Sequence, residues 1–370
     1  MTPWYRAANE TDIASPALLV YPERIDENLR RMVEIAGRAE RLRPHVKTHK
    51  LPELIAMQLA RGISRFKCAT LSELAMTLAA GAQDVLLAFQ PVGPNLRALA
   101  ELCVRHPGAK VSAIADDASA LTALSGVFRS APKPLEVLLD VDCGMHRTGV
   151  QPGSDAVALY RLIASLPGLV PGGIHGYDGH IHDSDLTARR VECDRAYAPL
   201  LELRRALESL DLHVPRLVVG GTPTFAIHAE RDAVELSPGT SLLWDHGYGS
   251  NFPDLPFVPA ATVLTRVVSR PAKHRLCLDL GYKAICSESP PPRVMLFGLE
   301  DARFVTHSEE HLVVETERAS EVSVGSAFYG VPWHICPTVA LHDQAVVVRQ
   351  GSAEEVWTIA GRGRGERLSA

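Results

Sequence analysis

The stretch Arg43-Pro44-His45-Val46-Lys47-Thr48-His49-Lys50 crowds basic and imidazole side chains into eight residues. It closes a short apolar run and leads into an amphipathic helical pattern. A lysine at such a strand-to-helix junction lies where α/β proteins place their chemistry, outside the carboxyl ends of parallel strands. Arg43, His45 and Lys50 are predicted to lower the pKa of Lys47, because neighbouring positive charge disfavours the ammonium. A lysine amine free of its proton attacks carbonyls and is the usual anchor of pyridoxal phosphate (PLP). The same composition also suits a phosphate-binding basic patch or a solvated turn.

Other chemistry-bearing residues gather after later strand candidates. Asp140–Gly149 contains Asp-Val-Asp-Cys-Gly-Met-His-Arg-Thr-Gly, and Tyr177–Asp183 contains Tyr-Asp-Gly-His-Ile-His-Asp. Gly220-Gly221-Thr222-Pro223-Thr224 and Ser237-Pro238-Gly239-Thr240 follow the last two candidates. Glycines there let backbone N–H groups approach phosphate oxygens, and threonine hydroxyls add donors. His175, His180 and His182 are expected to crowd one loop. His334 and Cys336 form an H-x-C pair, imidazole plus thiolate, which suits zinc or a similar divalent ion. On an extended segment these two side chains point to one side and reach a single ion, though Cys336 also suits a small buried hydrophobe. Ser308-Glu309-Glu310-His311 reads as an exposed turn, and Asp279 with Lys283 as a plain surface pair.

The elements that must position these residues alternate. Strand candidates are Leu42–Lys47, Arg65–Thr70, Asp84–Gln90, Lys110–Asp116, Leu135–Asp142, Val170–Gly176, Leu217–Gly221 and Val234–Gly239. Helical patterns lie between them, and an earlier one spans Arg24–Glu40. Eight strands predict a (β/α)8 TIM-type barrel, with a doubly wound open sheet as the alternative. The link between the last two strands is too short for a full helix. Beyond Trp244 alternating runs predict a mainly antiparallel β-domain. The expected division is 22–243 for the barrel and 1–21 plus 244–370 for the β-domain. The polar tail Gly361–Ala370 is expected to fray.

The 370 residues are 46% hydrophobic and 22% charged, with formal net charge −5. That balance, without a basic tract, argues against nucleic acid as a partner. Seven cysteines without a CxxC pair predict a reducing, cytoplasmic setting. Neither a signal peptide at Met1–Arg6 nor a membrane-spanning run is expected.

Four motifs together carry a resemblance: Arg43–Lys50, Met145-His146-Arg147-Thr148-Gly149, Gly220–Thr224 and His334-Ile335-Cys336-Pro337-Thr338. In order, from about residue 14 to 345, they resemble the D-threonine aldolase and D-serine dehydratase group of alanine-racemase-like, fold-type III PLP enzymes. The resemblance implies a PLP barrel and a β-domain with a divalent-metal site (Mn, Zn or Mg), with the strand Pro16–Tyr21 joining the β-domain. It implies that Lys47 carries the Schiff base and that Arg147 bonds the phenolic oxygen. Tyr177 is added as a cofactor residue, and the loops at Gly221-Thr222 and Gly239-Thr240 would hold the phosphate. His334 and Cys336 would bind the metal.

The implied substrate is a small D-β-hydroxy-α-amino acid, and relatives imply a homodimer. D-Threonine aldolases of the group present H-x-D at the metal, whereas its dehydratases present H-x-C, as here. Gly176–His180 and Ser308–His311 look instead like the bacterial aldolases. The expected reaction is retro-aldol cleavage to glycine and an aldehyde, with His180 as base. The alternative is dehydration to a keto acid and ammonia, with Lys47 removing the Cα proton. A racemase or a non-catalytic PLP-binding protein are the further alternatives.

Overall fold

The computed structural model describes residues 3–364. The chain divides into two compact units. One runs through Arg31 and includes Thr48–Leu51 and Thr240–Ile359; the other comprises Met32–Lys47, Pro52–Gly239 and the segment from Ala360. Strand β1 (Ala17–Val20) and helix α1 (Pro22–Ala36) open the chain.

In the second unit, β2 (Arg65–Cys68), β3 (Asp84–Leu87), β4 (Lys110–Ala115), β5 (Leu135–Asp140), β6 (Leu169–Gly176), β7 (Leu217–Val219) and β8 (Val234–Leu236) form one parallel sheet in chain order. Between them run α2 (Pro52–Ala60), α3 (Leu71–Ala79), α4 (Asn95–Arg105), α5 (Ala118–Phe128), α6 (Ser154–Ser165), α7 (Leu186–Glu208) and the five-residue α8 (Phe225–Ala229). The brevity of α8 matches the tight link expected between the last two strands. Side-chain caps begin several of these helices where the sequence offers them. Thr70 accepts the Glu73 N–H before α3, and Asp117 and Asp185 cap α5 and α7 in the same way.

The expected first strand, Leu42–Lys47, is not a regular strand. Pro44 has no N–H to donate, and Val46–Thr48 winds into a 3-10 turn. The segment is held by two parallel bridges, Leu42 to Leu236 on β8 and His45 to Lys67 on β2. It thereby occupies the eighth position between the two ends of the seven-stranded sheet. Inside, Leu86, Ile114, Leu138 and Val218 form an apolar layer across β3, β4, β5 and β7.

Arg43 is fully buried in this unit, with Nε 2.5 Å from Glu235 and Nη1 2.8 Å from Asp84. Replacing the cation alone takes from Asp84 and Glu235 their buried partner and leaves Glu235 with only the partly exposed Arg65. Arg43→Met is therefore expected to destabilise the protein by about 3 kcal/mol, read from the urea unfolding midpoint.

The first unit is built on a nine-stranded mixed sheet. Its remaining strands are β9 (Ala261–Ala272), β10 (Arg275–Leu278), β11 (Val294–Leu296), β12 (Arg303–His307), β13 (Leu312–Glu315), β14 (Ala327–Pro332), β15 (Gln344–Arg349) and β16 (Ser352–Thr358). The order is β12-β13-β10-β9-β1-β15-β16, with β14 pairing β9 and β11. The N-terminal β1 joins this sheet, antiparallel to β9 and parallel to β15, as the resemblance implied. Alternate residues such as Leu276, Leu278, Leu312 and Val314 face a buried core. Two short helices, α9 (His246–Asn251) and α10 (Ile335–Leu341), carry residues used below.

The tail does not fray from its start, because Ala360–Arg362 forms a 3-10 turn with Gly361 buried. Its last residues, 365–370, lie outside the described residues. No helix among the described residues is long and apolar enough to cross a membrane.

Candidate active site and metal centre

Lys47 occupies the 3-10 turn beyond Val46, and its backbone N–H donates to His45 Nδ1 at 3.4 Å. Arg43 does not crowd it as expected, because its guanidinium is taken up by Glu235 and Asp84. The cation that does share its surroundings is Lys67, on β2. Lys47 Nζ lies 5.6 Å from the centroid of the Tyr177 ring, Lys67 Nζ 5.9 Å and Arg147 Cζ 5.2 Å. Three cationic side chains thus meet one aromatic ring. The ring fits because Gly179 and Gly221 lack side chains. A Cβ on Gly179 would stand 2.3 Å from Tyr177 Cε1, and one on Gly221 3.1 Å from Cε2.

Behind the ring, Asp140 at the end of β5 pairs with His175 on β6, Oδ1 to Nδ1 at 2.7 Å. Burial alone would raise the Asp140 carboxyl, but the hydrogen bonds from His175 and the Thr148 hydroxyl hold it below the usual range. Burial pushes the His175 imidazole down, against the pull of Asp140. A neutral ring donating from Nδ1 leaves Nε2 as an acceptor, and that buried atom has no hydrogen-bond partner among the described residues. The three histidines expected in one loop therefore separate. His175 lies in β6, His182 is exposed, and His180 packs on Gly144. Gly144 has φ +121°, and a Cβ there would come within 2.7 Å of His180 Nε2. His180, His182 and Glu192 line a cavity of about 470 Å³.

The loops after β7 and β8 are tied together. Gly239 N–H donates to Thr222 Oγ1 at 3.0 Å, and Gly221 N–H to Thr224 Oγ1 at 3.2 Å. Thr224 in turn donates to Asp178 Oδ1 at 2.9 Å. His228 Nε2 bonds Asp178 Oδ2 at 2.8 Å, while Arg231 bonds His228 Nδ1. A guanidinium can only donate, so His228 Nδ1 accepts and Nε2 carries the proton. The buried Ser237 hydroxyl beside this loop has no hydrogen-bond partner among the described residues. It was visible in the Ser-Pro-Gly-Thr run but was not singled out.

In the other unit, His334 has extended backbone and N-caps α10, so Cys336 lies in the first helical turn. The pair is brought together by this turn, not by an extended segment as expected. Burial would lower the imidazole, yet the Cys336 thiol, Asp245 and Glu288 raise His334 to about 9. Burial would raise the thiol, yet His334, Thr48 and Thr240 lower it. Thr48 Oγ1 lies 3.2 Å and Thr240 Oγ1 3.5 Å from Cys336 Sγ. Thr240 is thus engaged at the thiol in this structure.

Glu288 bonds His334 Nδ1, and with Cys286 these residues offer donor atoms within 4.8 Å of one another. Asp245 accepts the Ile335 N–H at 3.0 Å and is pushed up to about 6 by burial. No spacing rule connects Glu288 or Asp245 with His334, so sequence reading missed both. Glu309 and Glu310 flank Lys283 at the surface, and Asp279 instead bonds Ser15, Thr265 and the Arg266 N–H. Asp279 and Lys283 are therefore not the pair expected.

Residues 20–246 match the alanine racemase N-terminal domain family and residues 260–348 the putative serine dehydratase domain family. The chain belongs to the alanine-racemase-like family of pyridoxal phosphate enzymes. It is 34% identical to a D-threonine aldolase of Arthrobacter sp., covering 95% of this chain and 93% of that one. A solved D-threonine aldolase from Filomicrobium marinum superposes with TM-score 0.88 at 30% identity, covering 95% and 96%. The D-threo-3-hydroxyaspartate dehydratase from Delftia sp. HT23 gives TM-score 0.83 at 25% identity, covering 96% and 98%. These relatives are lyases, and the chain is a lyase of the same PLP-dependent kind.

The residues fit the family's cofactor. The barrel unit offers a lysine amine, glycine-made space around Tyr177, and two buried polar atoms, His175 Nε2 and Ser237 Oγ, without hydrogen-bond partners among the described residues. A thiol, an imidazole and a nearby carboxylate likewise suit a divalent ion.

Proposed function

We propose that the chain is a PLP- and divalent-metal-dependent lyase of D-β-hydroxy-α-amino acids, acting as a D-threonine aldolase. In this reading Lys47 holds the cofactor covalently, Arg147 bonds its phenolic oxygen, and Tyr177 packs against it. Gly221, Thr222, Gly239 and Thr240 serve its phosphate, and His334 and Cys336 hold the metal. When bound, PLP supplies the electron sink for the pair released at Cα, and the metal acidifies the β-hydroxyl.

His180 takes the hydroxyl proton, and the absence of a side chain on Gly144 leaves its ring room to do so. The observation that carries the reading is the donor cluster of His334, Glu288 and Cys286, within 4.8 Å of one another, at the start of the helical turn that bears the Cys336 thiol. A racemase or a non-catalytic PLP-binding protein has no use for a metal site. The overall similarity to D-threonine aldolases favours carbon–carbon cleavage. The expected setting is a cytoplasmic homodimer.

A second reading, dehydration of D-serine or D-3-hydroxyaspartate, draws support from the thiol in H-x-C and from the likeness to the Delftia dehydratase. There Lys47 removes the Cα proton and no base at the hydroxyl is needed. Product analysis separates the two. The protein loaded with PLP and Mn²⁺ or Zn²⁺ is incubated with D-threonine and, separately, with D-serine. Glycine plus acetaldehyde from D-threonine is the expected result. Keto acid plus ammonia without glycine would replace the aldolase by the dehydratase.

A further inference from the structure

Lys67 is a buried amine for which the reaction above has no use. It is the third residue of β2, and its partner across the parallel ladder is Leu86. Paired residues of neighbouring strands share a face, and Leu86 belongs to the interior apolar layer with Ile114, Leu138 and Val218. Lys67 therefore projects into the barrel interior, where it is 2% exposed. Its ammonium reaches the same Tyr177 ring as Lys47, at 5.9 Å against 5.6 Å. Among the described residues, no carboxylate stands within ion-pair distance of its Nζ.

Burying an unpaired ammonium costs several kcal/mol, which an apolar residue of similar length would avoid. The charges facing it are mixed. Lys47 and Arg43 disfavour its protonation and Asp178 and Asp140 favour it, while the Arg147 guanidinium reaches the same ring at 5.2 Å. The neutral His175 completes the surroundings beside Asp140.

We propose that Lys67 is a second functional amine of the cofactor pocket and the proton partner of Lys47. The proposal rests on the reading that Lys47 binds PLP. In the step, the Lys47 ammonium gives one proton to the neutral Lys67 amine. Lys47 is left with a free lone pair and Lys67 becomes an ammonium. The proton returns when the Lys47 amine is released again. No charge is created in the buried site; a single positive charge moves between two amines that reach the same ring. Burial, followed by the Lys47 charge, lowers Lys67 to about 7, so at neutral pH a large fraction is ready to accept. A cation–π anchor alone would need a permanent charge and no such exchange.

The experiment compares the native chain with Lys67→Met, Lys67→Gln and Lys67→Arg. Apoprotein is mixed with PLP from pH 6 to pH 10, and growth of the absorption band of lysine-bound cofactor is timed. Borohydride reduction and peptide mass spectrometry then locate the attachment. Methionine and glutamine cannot take a proton, and arginine keeps the charge but is never free to accept one.

All three variants are expected to carry the label on Lys47 but to form the band at least about tenfold more slowly at pH 7. The midpoint of the rate–pH profile should also move upward. Native rates in Lys67→Met or Lys67→Gln would overturn the proposal and leave the PLP reading standing. Native rates in Lys67→Arg alone would overturn it too, since charge by itself would then suffice. Absence of label from Lys47 in the native chain would overturn both readings.

Discussion

Lys47→Ala is expected to lose the absorption band of lysine-bound cofactor and at least about a thousandfold in turnover, while remaining folded. Lys47 makes no ion pair among the described residues, and its contact with Tyr177 at 5.6 Å is loose. Truncation strands no buried carboxylate, so the change in stability should stay within about 1 kcal/mol. The chemistry has no such reserve. Lys67 reaches the same ring from β2, but its backbone is fixed in the ladder with Leu86 and His45.

Cofactor should still associate without a covalent bond, through Arg147 and the glycine loops. The absorption spectrum and a single-turnover assay check this together. A normal band with normal turnover in Lys47→Ala would remove the covalent assignment. Partial recovery of turnover with added methylamine would strengthen it, because a free amine then replaces the missing side chain.

The second large effect is expected at the metal pair. Cys336→Ala should reduce divalent-metal affinity by at least about a hundredfold and abolish metal-dependent turnover, while leaving the cofactor band intact. The thiol is held ready for this role. His334, Thr48 and Thr240 favour its ionised form against the cost of burial. Alanine removes both the ligand and the partner that keeps His334 oriented, leaving Glu288 as the group on Nδ1. The two threonine hydroxyls lose a hydrogen bond each, a stability cost of about 1 kcal/mol. Metal content after dialysis and titration against a chromogenic chelator read the affinity directly. Unchanged metal content and unchanged turnover would sink the assignment. Cys336→Asp restores an anionic ligand and should recover part of the binding.

How much was legible in the chain depends on the range of the physics. Periodicity and caps are local, so the helices between the strand candidates were legible, as with α5, where Asp117 accepts the Ser119 and Ala120 N–H groups. The alternation of strand and helix was sufficient for the barrel, whereas the H-x-C spacing named a candidate pair but not the helical turn that carries it. The segment Leu42–Lys47 was misread because its alternating pattern is that of a strand. Only the bridges to Leu236 and Lys67 show that it completes the ring without forming a ladder.

Sequence by itself determined the residue types available and the order of the elements, and it singled out Lys47, His334 and Cys336 as candidates. The tertiary structure alone decided which charges meet. Arg43 lies four residues from Lys47 but spends its charge on Asp84 and Glu235, whereas Lys67, twenty residues away, shares a ring with it. Glu288 joins His334 across 46 residues. These outcomes follow from parallel register, which sets side chains from distant strands on one face, and from burial, which forces each charge to find a partner or a function.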